Sequence, residues 1–214
     1  MKSADQILAE VSDYYQAKLR EHGATPRGVD WNSAESQQLR FAQLLRVVSP
    51  ASAASRFTLL DYGCGYGALL DTLRGTGLPV DYLGYDIAPT MIAQAHADHA
   101  QPLPPVTAQF TSDVASLPRC DFVVASGIFN VKLTTAASDW RDYVLETIEK
   151  LASLAARGFA FNMLTSYSDA DRMRADLFYG DPTFFFDHCK RKYSRNVALL
   201  HDYDLYEFTI IVRR

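Results

Sequence analysis

Apolar positions change their period several times along this 214-residue chain. Near the N-terminus Ile7, Leu8, Val11, Tyr14, Tyr15 and Leu19 recur at spacings of three and four, which predicts an amphipathic helix over residues 3–21. Ser3 and Gln6 match a capping box at its start, and His22-Gly23 closes it. A loop over 24–32 carries Pro26, Gly28 and Trp31; Asn32 or Ser33 then caps a second helix whose apolar positions run from Leu39 to Val48 and which stops by Ser49-Pro50. Beyond a small-residue connector the pattern becomes short apolar runs separated by turns and helical stretches. Strands are predicted over 58–60, 82–85, 107–110, 121–126 and 158–164, with helices over 68–73, from Pro89, and over 139–156. Residues 165–181 are irregular and polar, with a short helix expected near 170–177. Asp181-Pro182 opens a further helix, and strands over 196–201 and 205–213, joined by Asp202-Tyr203-Asp204, form an antiparallel pair.

Composition narrows the class without deciding it. Hydrophobic residues make up 48% and charged residues 21%, as in ordinary globular proteins. A net charge of −4 argues against a general nucleic-acid binder, which carries a basic excess. Cys64, Cys120 and Cys189 are scattered and lack metal-ligand spacing, so free thiols and no metal are expected. The first residues soon meet acids and lack an apolar core, and no run approaches the ~20 residues that span a bilayer. A cytoplasmic protein without a membrane span is the resulting expectation.

The chemistry concentrates between Thr58 and Asp86. A strand ends on Asp61, the turn Gly63-Cys64-Gly65-Tyr66-Gly67 opens a helix, and the next strand ends on Asp86. Glycines at alternate positions permit positive φ and let the backbone approach a ligand where a Cβ would collide. An acid at the second strand tip can accept hydrogen bonds from ribose hydroxyls. A pyrophosphate fingerprint reads G-x-G-x-x-G; here it is G-x-G-x-G, and Asp61 beside the turn would repel a pyrophosphate while suiting a ligand with an ammonium group.

This combination resembles the class I S-adenosylmethionine-dependent methyltransferases, whose first motif reads acid-x-G-x-G-x-G. The resemblance covers 58–131 by motif and the rest by element order. It implies an α/β fold: a Rossmann-like seven-stranded sheet, mostly parallel with a C-terminal antiparallel hairpin, with helices on both faces and an N-terminal helical lid. Within one structural domain, 1–55 would be the cap and 56–214 the core. The resemblance further implies that Asp61, Gly63, Cys64, Gly65 and Gly67 hold the methionine portion of S-adenosylmethionine, Asp86 the ribose, and Ile87 the adenine. Ser112, Asp113 and Val114 would lie at the adenine amino group, and Ser126, Gly127 and Ile128 beside the sulfonium. Asp113 reads nearly as well as a cap or a loop acid.

A sulfonium methyl is already electrophilic, so transfer depends mainly on positioning and exclusion of water, and no catalytic residue is demanded. Acceptor-side candidates are Trp31, Arg40 and Asn130, with Tyr14, Tyr15 and His188 behind them. Trp31 reads equally as a core anchor, Arg40 more commonly as a solvated helix arginine, and Asn130 as a turn cap. The basic group Lys190, Arg191, Lys192 and Arg195 reads first as a helix C-terminal cluster and second as a site for an acidic acceptor. The run Ser126-Gly127-Ile128-Phe129-Asn130 lacks the prolines that follow the acid or asparagine of amide-directed nucleic-acid enzymes. The expected activity is therefore methyl transfer to a small molecule, with a non-catalytic S-adenosylmethionine-binding protein or a NAD(P)-dependent oxidoreductase as alternatives.

Overall fold

In the computed structural model, which describes residues 2–214, the N-terminal pattern folds as α1 (Ala4–His22) and α2 (Ala34–Leu45). Ser3 and Gln6 form the capping box, and Ser33 caps α2 through its hydroxyl. The loop between them holds a 3-10 turn at Pro26–Val29. The connector after α2 is ordered as a single helical turn, α3 (Pro50–Ala53), because Ser49 accepts from the Ser52 N–H.

The remaining elements are β1 (Phe57–Tyr62), α4 (Ala68–Thr76), β2 (Val80–Tyr85), α5 (Pro89–Asp98), β3 (Thr107–Thr111), β4 (Cys120–Ala125), α6 (Ala137–Leu154), β5 (Ala155–Leu164), α7 (Pro182–Lys192), β6 (Asn196–Leu200) and β7 (Glu207–Arg213). All seven strands form one sheet in the order β3-β2-β1-β4-β5-β7-β6. The five on the β3 side run parallel, and β7 lies antiparallel between β5 and β6. The expected seven-stranded fold is therefore present.

Three local expectations differ. The segment over 170–177 is not a helix: only a 3-10 turn at Ala170–Arg172 forms, and the chain instead bridges Val131 to Leu177 and Thr165 to Gly180. β5 begins at Ala155, directly where α6 ends, because pairing with Cys120 extends the strand backwards. The hairpin connection is longer than three residues, since β6 stops at Leu200 and β7 starts at Glu207.

Side chains that alternate along each strand separate two cores. Leu59, Val124 and Ile211 face α2 and α4, against Phe41, Leu44, Leu69 and Leu73. Their neighbours Leu60, Val123 and Ile210 face α6 and α7, against Trp140, Ile148 and Phe185. α2 is thus a layer of the core. α1 instead reaches over the strand tips, with Ile7 in the second core and Leu19 against Ala88 and Met91 of the α5 start. Chain order reverses between β1 and β4, the point where open α/β sheets bind ligands beyond the carboxyl ends.

Trp140 ties this switch point to the core. It is fully buried, and its Nε1 donates to the Phe129 carbonyl at 2.8 Å in the loop after β4. Trp140→Phe retains most of the apolar contact but leaves that buried carbonyl unpartnered. A loss of about 1–3 kcal/mol is expected, read as a lower urea midpoint at unchanged slope.

Candidate functional site

Three glycines of positive φ, Gly63 (87°), Gly65 (55°) and Gly67 (87°), bend the chain from β1 into α4. The turn is pinned to the next strand. Gly63 and Cys64 both donate to the Tyr85 carbonyl, and the Gly65 N–H donates to Asp86 Oδ2 at 2.9 Å. A Cβ on Gly65 would lie 3.1 Å from Val29 in the overlying loop, and one on Gly63 would fall 2.3 Å from Ile128. The backbone is therefore bare because its neighbours leave no room.

Around this turn lies a cleft with about 910 Å³ of empty space, part of it open to solvent. Its floor includes Asp61, Gly63, Cys64, Gly65, Asp86 and Ile87, and one side is Ser126, Gly127 and Ile128. Its roof comes from the N-terminal segment: Leu8, Val11 and Tyr15 of α1, then Val29 and Trp31. Two acids and no lysine or arginine line it. Asp61 is 3% exposed and accepts from the Tyr82 hydroxyl at 2.8 Å. Burial pushes its carboxyl up to about 7, against the Tyr82 hydrogen bond and with a smaller push from Asp86. Burial also raises Asp86, opposed by the N–H groups of Ala88 and Gly65. The Cys64 thiol is held well above its ordinary range by burial and stays protonated. Ser126 Oγ is buried without a hydrogen-bond partner.

Several expected residues stand elsewhere. Gly67 sits at the α4 N-cap behind the lining, against His99 and Phe110. Ser112, Asp113 and Val114 are exposed and do not line the cleft. Asp113 Oδ1 instead accepts from the Ala115 N–H and caps the short turn after β3. His188 lies on α7 packed against Phe184 and Tyr193, away from the cleft lining. The Lys190–Arg195 group is absorbed locally: Arg191 pairs with Asp187, Lys192 with Glu149, and Lys190 donates to the Arg195 carbonyl.

A second chamber adjoins the first, with about 940 Å³ of empty space partly open to solvent. The two share Tyr15, Val29, Trp31 and Gly127. Arg40 and Asn130 line the second chamber, as do Leu177, Tyr179, Arg172 and Arg174 from the irregular segment after β5. Asn130 fixes that wall, since its Oδ1 accepts from the Leu164 N–H and its carbonyl accepts from the Phe178 N–H. Tyr14 does not line either chamber; its hydroxyl donates to Asp30 at 2.8 Å.

Arg40 is not a solvated helix arginine. It is 6% exposed, and its Nε and Nη2 donate to both carboxylate oxygens of Glu207, which is 1% exposed, at 2.7–2.9 Å. Glu207 Oε2 also accepts from Asn162 Nδ2 at 3.0 Å, and Asn162 Oδ1 accepts from the Gly127 N–H at 2.7 Å. The Arg40 guanidinium carbon lies 4.0 Å from the Trp31 ring centre, and that ring covers Gly127 so closely that a Cβ there would fall 2.3 Å away. Five residues from two strands, the loop after β4 and two N-terminal segments thus close a loop at the junction of the chambers. Glu207 and Asn162 are absent from the candidates drawn from sequence. The available signal was an acid opening, and an amide interrupting, strands otherwise apolar enough to be buried, where a polar group requires a partner.

Comparison with known proteins bears on the family and the fold. A methyltransferase domain family model matches residues 33–206. The Rv1506c protein of Mycobacterium tuberculosis, whose name assigns it provisionally to the methyltransferases, is 47% identical over 170 residues, covering 79% of this chain and 99% of its own. The fold is similar to magnesium protoporphyrin IX methyltransferase of Synechocystis PCC 6803 with bound SAM, with a TM-score of 0.64 at 16% identity over 100% of this chain and 98% of that one. It is also similar to DhpI in its complex with SAM and HEP, with a TM-score of 0.62 at 17% identity over the whole of both chains.

The buried ion pair gives a direct test. Glu207→Ala strands the Arg40 charge, and a loss of about 3–5 kcal/mol is expected in chemical denaturation. The apolar double replacement Arg40→Met with Glu207→Leu should recover most of that stability, since it removes both charges together.

Proposed function

This chain belongs to the methyltransferase domain family, of the class I S-adenosylmethionine-dependent type, and on that premise we propose that it methylates a small-molecule acceptor held in the second chamber. The observation that carries this reading is the contiguity of the chambers across Trp31 and Gly127. A donor in one and an acceptor in the other would meet there. Family membership sets aside the oxidoreductase and non-catalytic alternatives, and the cleft supplies a physical reason for the first. Two acids without a nearby cation oppose a pyrophosphate.

The lining fits S-adenosylmethionine, which would supply an electrophilic methyl on a sulfonium and leave as S-adenosylhomocysteine. In this proposal Asp61 and the bare 63–65 backbone hold the cationic methionine end. Asp86 takes the ribose hydroxyls, and Ile87 with Met91 packs the adenine. The unpartnered Ser126 Oγ gains a polar partner, as buried hydroxyls normally have. Asp113 is left out because its carboxylate caps its own turn. Leu8, Val11 and Tyr15 exclude water from the transfer. The covering unit is α1 with its loop through Trp31, whereas α2 stays with the sheet through Phe41, Leu44 and the Arg40–Glu207 pair. No described helix is long and apolar enough to cross a membrane.

Asp86→Ala should weaken S-adenosylmethionine binding by about 1.5–3 kcal/mol in calorimetry, the cost of hydrogen bonds to a charged group. Unchanged affinity would mean the ribose lies elsewhere. Methyl transfer to small acceptors should cease in Leu177→Trp, which fills the second chamber, with cofactor affinity retained.

Asp61 gives a pH signature. Only its ionised form attracts a cationic ligand, so affinity should rise as pH increases through about 7 and then level off. Asp61→Asn should flatten that profile. Because folding raises this carboxyl above its ordinary value near 3.9, the free protein loses stability as pH rises from about 4 through about 7. Asp61→Asn should therefore melt no lower than the wild type at pH 8 while binding the cofactor more weakly.

A further inference from the structure

The two chambers differ in charge. The first is lined by Asp61 and Asp86 and by no cation. The second is lined by Arg40, Arg172 and Arg174 against Asp30 and Glu207. Each arginine has an acid beside it, but the acids do not fill all of the donor capacity on this side. Glu207 engages only two of the three Arg40 nitrogens, and the remaining one, Nη1, is buried with no hydrogen-bond partner. Asp30 is occupied by Tyr14 and Lys18. Arg172 and Arg174 are more than half exposed and pair with Asp169 and Asp176. Exposed single-contact pairs such as Arg172 with Asp169 contribute little, while Arg174 holds Asp176 through two hydrogen bonds.

An unpaired buried guanidinium nitrogen costs free energy unless something completes it. Trp31 covers the guanidinium face, so a partner must approach in its plane, the direction that suits a carboxylate or phosphate oxygen. Arg40 lines the second chamber, whereas Gln37 and Phe41 of the same helix line the first, so the arginine stands on the acceptor side.

We propose that the methyl acceptor is an organic acid, a carboxylate or phosphate monoester, anchored by Arg40 Nη1 with Arg172 and Arg174 at the chamber mouth. This rests on the reading of the second chamber as the acceptor site. Aromatic and aliphatic walls at Trp31, Tyr179 and Leu177 would hold the rest of such a molecule.

The test is calorimetric binding to full-length protein saturated with S-adenosylhomocysteine, using benzoate and phenyl phosphate against neutral benzamide as probes. The expected result is saturable binding of at least one acid, with benzamide at least tenfold weaker. The preferred acid distinguishes a carboxylate from a phosphate site. Arg40→Lys keeps a cation against Glu207 but removes the free arm, and should weaken the acid at least tenfold, a larger loss than it causes in S-adenosylhomocysteine affinity. The surface pair Arg172→Gln with Arg174→Gln, which does not touch the buried network, should weaken it about threefold or more. Equal binding of benzamide, no binding of either acid at millimolar concentration, or full acid affinity in both variants would overturn the proposal. The acceptor-site reading has its own control, Leu177→Trp. Acid binding that survives this block would place the anion outside the chamber and overturn both readings. Benzamide and acid binding equally, both abolished by the block, would overturn only the charge assignment.

Discussion

The buried pairing of Arg40 with Glu207 is the constraint on which the site depends. It joins positions 167 residues apart, clamping an N-terminal helix to the penultimate strand of the sheet order. A buried ion pair is a poor source of net stability, because desolvation cancels much of the attraction. Its value here is positional. Through Asn162 it fixes the Gly127 N–H, and through Trp31 it presses an aromatic ring onto the same glycine. The junction between the chambers is thereby held from both sides.

That junction matters because transfer from a sulfonium needs little acid–base help and much alignment. The protein separates two charge environments by one indole ring. Asp61 and Asp86 line the cleft, and Arg40, Arg172 and Arg174 line the other side. A network rigid enough to hold Trp31 and Gly127 in contact can keep the two ligands in line without placing a reactive side chain between them. Cys64, the nearest thiol to the turn, is kept neutral by burial and offers no competing nucleophile.

The roof is built differently from the floor. The floor is backbone locked by hydrogen bonds from the 63–65 turn to Tyr85 and Asp86. The roof is side chains of α1 and its following loop, which contacts the sheet mainly at the strand tips. α2 differs, since its Phe41 and Leu44 are embedded in the core over β4, β5 and β7.

The sequence by itself determined the strand and helix order, the glycine turn and the acids at the first two strand tips. These features are local: a two-residue or 3.6-residue apolar period and a positive-φ turn express themselves within one element. It also located Trp31, Arg40 and Asn130. Only the tertiary structure decided what they do. Arg40 turned from a solvated arginine into a buried clamp because Glu207 and Asn162 meet it across the sheet. Asp113 caps its own exposed turn, and the segment over 170–177 became a chamber wall instead of a helix because the bridge from Val131 to Leu177 captured its backbone. A buried polar group is specified by its partner, and when that partner lies far away in the chain, only folding brings the two together.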